Sequence, residues 1–465
     1  MNELGVPKIG LLPLMLEMYK KYSPELVNKQ KPFIDDIEKR LKAFSDVSKA
    51  GVCTNRIEIR AEIRKFEAYE IDLMVVIFIS YATSMAALSP LLETNIPVLL
   101  FSTTPKSSMA EGMSMEDIML NHGVHGYMDL ANVLKRNGRR YFFVSGKKDS
   151  DEVYREIELC ARVSRVKNIL HNSVIGIAGY TFDGMGDLGV DITYLNAALG
   201  PEIRHVPLTV IADKISKVNE KELEKEMNND VKNYNVDKSI DREIHVESNR
   251  FYLGLLKIIN EFSLNAFTMH FQAILENPDI KTIPFLAISK LQSNGLAYAG
   301  EGDLVGATGN LLLRYLFGDT LFTETFCPDF KGGRIVMGHM GESNPAFGKK
   351  TVLRRKKFVF GKAIDPVIAD VEMQQGRASV LNLGIVENNR FQMIVYMGEI
   401  CKKIHGSADV DMPYFHFKPD IPLERFLYEY SMAGGTHHIA MTKGDRREEL
   451  KKLSGILDVD MIILE

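Results

Sequence analysis

Short apolar runs alternate with amphipathic stretches through the first third of the chain. The runs are KIGLLPL (8–14), LMVVIFI (73–79), IPVLLF (96–101), RRYFFVSG (139–146) and SVIGIAG (173–179). Between them the period becomes helical, as in PFIDDIEKRLKAFSD, where Phe33, Ile34, Ile37, Leu41 and Phe44 share one face. Strands apolar on both faces and separated by helices predict a parallel sheet covered on both sides. Ligands of such sheets lie beyond the carboxyl ends of the strands. No GxGxxG or Walker-type loop opens those helices, so a dinucleotide or nucleoside triphosphate site is not indicated.

A second unit begins near GYTFDGMGDLGVD and includes a highly charged stretch, Lys214 to Arg250. Its few apolar residues predict exposed helix and loop. An apolar helix, RFYLGLLKIINEFSLNAF, follows it. From about Leu321 the pattern alternates, as in KKFVFGKAI and FQMIVYMGEI, and predicts antiparallel strands. The fold class is therefore α/β. Parallel, Rossmann-like N-terminal (1–170) and central (171–320) domains precede a β-rich, antiparallel or barrel-like C-terminal domain (321–465).

Composition is that of a globular protein, with 465 residues, 45% of them hydrophobic and 25% charged. A formal net charge of -4 provides no field that gathers polyanions, so no nucleic-acid partner is expected. The basic run KKTVLRRKK, Lys349 to Lys357, has no interleaved aromatic residues and reads as a solvated strand or hairpin. A phosphate or partner contact is the alternative. Cys53, Cys160, Cys327 and Cys401 show no CxxC or metal-type spacing, which fits a reducing cytosol. The first residues, MNELGVPKIGLLPL, lack the pattern of a signal peptide. The longest apolar segment, Leu73 to Leu92, is broken by Ser80, Tyr81, Thr83, Ser84, Ser89 and Pro90. It predicts a buried strand and a helix, not a membrane span, and a cytoplasmic protein.

Four segments place metal-capable side chains beside glycine or in apolar context: AGEGD with Glu301, LFTETFCPD with Glu324, IVMGHMGESNP with His339, and MAGGTHHIAM with His437 and His438. Singly each is weak, since a lone histidine among apolar residues is more often a hydrogen-bonded core residue. Glu301, between Gly300 and Gly302, could equally be a solvated turn acid. Together, two carboxylates and two imidazoles form an N/O ligand field without thiolate. That field suits a divalent ion of intermediate hardness such as Mn²⁺. Zinc more often takes four ligands in a closed or nearly closed site. His437 and His438 point to opposite faces of an extended segment, so one can bind metal while the other does something else. Spacing does not choose between them.

These segments carry a resemblance. YAGEGD, the TETF acid, the GHM histidine and the GGTHH pair resemble, in the same order, segments of the L-arabinose isomerase family within the L-arabinose/L-fucose isomerase superfamily. NAFTMHF (265–271) and NHGVHGYMDL (121–130) are similar to two further family segments. The resemblance implies a three-domain aldose-ketose isomerase, an intramolecular oxidoreductase of carbohydrate metabolism. It also implies Mn²⁺ dependence, with Co²⁺ or Mg²⁺ as alternatives, and a homo-oligomer, usually a hexamer, with active sites where subunits meet. Matched by position, Glu301, Glu324, His339 and His438 correspond to the family's metal ligands, and Glu301 and Glu324 to its acid/base pair. Asp303 is the lesser candidate for catalysis. His437 falls in the pocket, His125 matches a histidine contributed by a neighbouring subunit, and Phe271, Tyr81 and Met185 fall near sugar-contacting positions. Where the family has a glutamine after its first strand, this chain has Leu16, followed by Glu17 and Met18. After GHM the chain is shorter and more basic than the family pattern.

The implied reaction moves hydrogen between C1 and C2 of a free pentose or hexose. One carboxylate takes the C2 proton and the other manages the hydroxyl proton, through an enediol. A non-catalytic sugar-binding or regulatory relative is a rival reading, but it would need no acid/base pair. A metal-assisted hydrolase could use the same ligands, yet no GxSxG-type nucleophile motif accompanies them.

Overall fold

A computed structural model describes residues 4–109, 113–359, 363–404 and 410–465. They form two compact units, one of residues 4–168 with 455–457, the other of 169–454 with 458–465.

The N-terminal unit is built on five parallel strands, β1 (Lys8–Leu14), β2 (Asp46–Lys49), β3 (Leu73–Phe78), β4 (Val98–Ser102) and β5 (Phe142–Ser145). Their order is β2-β1-β3-β4-β5. β3 is buried along its whole length because helices cover both faces of the sheet. One cover is the helix Glu25–Leu41, which turns Phe33, Ile34, Ile37 and Leu41 inward as its periodicity predicts. The segment after β3 folds as the helix Ser84–Glu93, so the long apolar stretch is strand plus helix. No helix among the described residues is long and apolar enough to cross a membrane.

The second unit opens with four parallel strands, β6 (Val174–Ala178), β7 (Glu202–His205), β9 (Ala266–Met269) and β10 (Ala297–Gly300), in the order β10-β9-β6-β7. The two-residue strand β8 (Asn235–Val236) instead joins a small sheet with β13 (Gly348–Arg355) and β14 (Val367–Met373). β11 (Thr320–Asp329), β12 (Arg334–Gly338), β15 (Gly376–Val386), β16 (Arg390–Cys401), β17 (Tyr414–Pro419) and β18 (His438–Lys443) complete the architecture. They run β15-β18-β11-β12-β17-β16 with every neighbour antiparallel, and β15 pairs with β16 to close a six-stranded barrel. β19 (Asp460–Leu464) adds in parallel to β16.

Two sequence expectations are corrected. In KKFVFGKAI, residues 356–359 are irregular where the alternation predicts a strand, and 360–362 lie outside the described residues. The strands fall on either side of it, β13 on the basic run and β14 beyond Pro366, which cannot donate to a ladder.

The charged stretch 214–250 is also not merely exposed. Its helices bury Leu223, Met227 and Asp230, then Ile244, His245, Ser248 and Asn249. They close over Lys290, whose Nζ meets Asp230 Oδ1 at 2.6 Å, Asn249 Oδ1 at 2.8 Å and the Glu226 carboxylate. The other Asp230 oxygen meets His245 Nε2 at 2.9 Å and accepts from Asn249 Nδ2 at 2.7 Å. Burial pushes the Asp230 carboxyl up, but His245 and Lys290 outweigh it and hold it below its usual value. Charged residues enter this interior because each finds a partner there.

Candidate active site and metal centre

The AGEGD loop leaves the carboxyl end of β10, where parallel sheets present ligands. Glu301 itself adopts φ +61°, a left-handed conformation unusual for a residue with a Cβ. Two backbone bonds pin it: its N–H donates to Met269 O at 3.0 Å, and its carbonyl accepts from Phe182 N at 3.0 Å. The flanking glycines both sit against close neighbours, Gly302 the more tightly. A Cβ on Gly302, at φ +76°, would lie 2.4 Å from the Tyr180 carbonyl oxygen. A Cβ on Gly300 would sit 3.0 Å from His339 Cε1.

The barrel supplies the remaining residues through its register. Glu324 in β11 stands opposite His438 in β18 on one side and Gly338 in β12 on the other. Directly paired residues share a face of the sheet. Glu324 Oε1 is 3.0 Å from His438 Nε2, 3.6 Å from His339 Nε2 and 3.8 Å from His437 Nε2. His438 Nε2 is 3.7 Å from Glu301 Oε2. One ligand atom from each of Glu301, Glu324, His437 and His438 lies within 4.8 Å of the others. His339 flanks this group through Glu324. His437 and His438 thus both turn toward Glu324, although they are consecutive.

Behind each imidazole stands a carboxylate. His438 Nδ1 meets Asp303 Oδ2 at 2.9 Å, and His437 Nδ1 meets Asp187 Oδ2 at 2.6 Å. His339 Nδ1 lies 2.9 Å from Glu342 Oε1. At His437 and His438 the ionised carboxylate can only accept, so it keeps the proton on Nδ1 and presents Nε2 forward; at His339 the Glu342 contact is one of charge and distance. Those forward atoms, with Glu301 Oε2, are buried and without hydrogen-bond partners among the described residues. Convergent unpaired N and O atoms fit a divalent cation, since each has a lone pair and none is a thiolate.

The electrostatics separate the two acids. Burial pushes the Glu301 carboxyl above its usual value, against the pull of His339 and His438. Burial acts on Glu324 too, but the adjacent His339 and His438 outweigh it, and Glu324 is held low. Burial pulls His339 down, yet Glu342 and Glu324 raise it to about 9. His438 is raised to about 10 by Asp303 and Glu324, again against burial.

Phe271 lines a cavity of about 350 Å³ with Glu301, His339 and Glu342. Met185 leads into the helical turn Gly186–Leu188 that carries Asp187. The other candidates belong to the N-terminal unit. There the Tyr81 ring lies 5.6 Å from His122 and 6.4 Å from His125, whose Nδ1 meets His122 Nε2 at 2.8 Å. Leu16 donates its N–H to Tyr81 O at 2.7 Å, just before the helix that begins with Glu17 and Met18.

Sequence reasoning missed Asp187 and Glu342. Glu342 had a signal, three residues after His339. Asp187 had none, being 250 residues from His437.

A parallel sheet joined to a closed barrel, with two carboxylates of opposed proton affinity among imidazoles able to hold a cation, places the chain among the enzymes of the α/β class. Residues 190–315 match the family model of the L-arabinose isomerase central domain, and residues 319–460 that of the L-arabinose isomerase C-terminal domain. L-arabinose isomerase of Yersinia pestis bv. Antiqua (strain Nepal516) is 24% identical over 393 residues, covering 80% of this chain and 76% of its own. That of Yersinia enterocolitica serotype O:8 / biotype 1B is 22% identical over 387 residues, covering 79% and 76%. The chain belongs to the L-arabinose isomerase family, as a divergent member. Enzymes of this family are aldose-ketose isomerases, which are intramolecular oxidoreductases.

Proposed function

We propose that this protein is a metal-dependent isomerase that interconverts a free pentose or hexose aldose with its ketose by proton transfer between C1 and C2. The observation that carries this reading is the convergence of Glu301 Oε2 with the Nε2 atoms of His339, His437 and His438 around Glu324. Glu301, Glu324, His339 and His438 would hold the ion, with His437 beside them; Mn²⁺ suits this donor set, and Co²⁺ or Mg²⁺ are the alternatives. When bound, such an ion polarises the sugar carbonyl and makes the neighbouring C–H more acidic.

The chain's own residues divide the proton work. Glu324, held ionised, is suited to accept the C2 proton. Glu301, pushed toward its neutral form, is suited to carry the proton that moves between the C1 and C2 oxygens. Returning the proton to C1 of the enediol completes the ketose with no net redox change. Phe271 packs against the sugar, and His437, held by Asp187, faces the same space. The reading includes a homo-hexamer whose site takes His125 from a neighbouring subunit, with Tyr81, Met185 and the Leu16–Met18 segment among its sugar-binding residues. It also includes the segments 1–170, 171–320 and 321–465 as its three domains.

The test is a panel of aldopentoses and aldohexoses incubated with the protein and Mn²⁺, with ketose formation as the readout. Wild type should form ketose from at least one sugar and lose this with chelator. Glu301→Gln and Glu324→Gln should each lower kcat by roughly 10² to 10⁴ while the fold is retained. Full turnover by Glu301→Gln would remove it from the acid/base pair.

A further inference from the structure

The cavity beside Glu301 has two unlike ends. One carries Glu301, His339 and Glu342. The other is walled by Phe271, Ile274, Ile283, Phe285, Ile288 and Val359. Ile274, Ile283 and Ile288 are almost fully buried, and the Phe285 ring packs against Gly341, where a Cβ would lie 2.2 Å from it. Two basic residues also border the cavity: Lys356 is 8% exposed with its ammonium engaged by the Asp411 carbonyl, and Lys357 is exposed to solvent. The six side chains that form this wall, buried except for the half-buried Phe271 and the exposed Val359, carry no hydrogen-bond donor or acceptor.

An ordinary aldose carries a hydroxyl on every carbon from C2 outward. A sugar with C1 and C2 at the Glu301 end of the cavity would lay its far end along this wall. A terminal hydroxyl there leaves water without gaining a partner, whereas a methyl group loses nothing and buries apolar surface. A cavity of about 350 Å³ lies within the ~300–1,000 Å³ range of small-ligand pockets.

We infer that the substrate is a 6-deoxyaldohexose, whose terminal methyl group packs against the Phe271–Ile274–Ile283–Ile288 wall while C1 and C2 face Glu301. The inference rests on the isomerase reading above. An apolar pocket discriminates weakly against an added hydroxyl, so the preference is set at roughly 10- to 100-fold in kcat/KM.

The experiment compares three matched sets on the Mn²⁺-loaded wild-type enzyme: L-arabinose, D-fucose and D-galactose; D-arabinose, L-fucose and L-galactose; L-lyxose, L-rhamnose and L-mannose. Members of a set share configuration at C2 to C4 and differ at C5 by hydrogen, methyl or hydroxymethyl. In the set that is turned over fastest, the methyl sugar should lead the hydroxymethyl sugar by at least about tenfold and should also exceed the pentose. Val359→Thr, on an exposed residue of the wall, and Ile283→Thr, on a buried one, should each shrink the methyl-to-hydroxymethyl ratio several-fold. A hydroxymethyl sugar or pentose that equals the methyl sugar overturns the inference and leaves the isomerase standing. So does a ratio that neither variant changes. Failure to isomerise any of the nine sugars strikes the isomerase reading itself, which is a different result.

Discussion

Asp303 holds His438 with one carboxylate oxygen, at 2.9 Å from Nδ1, and the first turn of the helix Leu304–Phe317 with the other, at 2.8 Å from Gly306 N. One side chain thus fixes a barrel histidine and caps the helix that begins at the AGEGD loop. Its orientation of the ring depends on negative charge, while its capping needs only an acceptor. Asp303→Asn should keep the cap yet weaken Mn²⁺ affinity roughly 10- to 100-fold. Asp303→Ala should add a loss of about 1 kcal/mol in stability. Isothermal titration calorimetry and urea unfolding separate the two effects.

Proton release should accompany metal binding. Before metal binds, His339 and His438 are held at about 9 and about 10, so both carry protons at neutral pH and must lose them to become ligands. Mn²⁺ affinity should therefore rise steadily from pH 6 to pH 9. Calorimetry in buffers of different ionisation enthalpy measures the protons released, and none released at pH 7 would contradict these assignments.

The metal-free protein should show its own pH window. Both histidines titrate higher folded than their unfolded value of 6.5, so the stability they contribute is complete below pH 6.5 and is lost as pH rises through 9 and 10. Glu324, Glu342 and Asp187 are held low, so their contribution is present above the ordinary carboxylate range and disappears as pH falls through their depressed values. Thermal melts of chelator-treated protein should peak between these limits, and Mn²⁺ should flatten the alkaline side.

Backbone geometry at the loop gives a steric test. Gly302→Ala must place a Cβ on the Tyr180 carbonyl at positive φ, which should cost about 1–3 kcal/mol and displace Glu301. Gly300→Ala meets only the edge of the His339 ring, so its stability loss should be smaller and its main effect a weaker metal site. Equal unfolding midpoints for wild type and Gly302→Ala would show that the contact relaxes freely.

Away from the site, Lys290→Met should destabilise by about 3–5 kcal/mol, because it strands the Asp230 carboxylate in the interior. Chemical denaturation reads the loss. KM for the sugar should stay unchanged in the folded fraction, since Lys290 is placed on the structural network and not in the cavity.

The chain by itself determined most of the element types, though not at KKFVFGKAI, and it singled out the side chains that the proposed chemistry uses. Apolar runs such as LMVVIFI, spaced between amphipathic helices, read as buried parallel strands covered on both faces, and β1 follows KIGLLPL residue for residue. Glu301, Glu324, His339, His437 and His438 were legible from local context because a carboxylate or imidazole among glycine and apolar residues needs a reason to be there. Tertiary structure decided their arrangement. Register set Glu324 opposite His438, and a contact across 250 residues turned His437 onto Asp187. It also decided that a charged stretch would bury Asp230 around Lys290. Periodicity reports which face of one element is apolar, but it carries no record of the partner that a polar side chain meets from a distant one. That partner exists only once the barrel closes and the sheet docks, and it sets the proton affinity on which the chemistry depends.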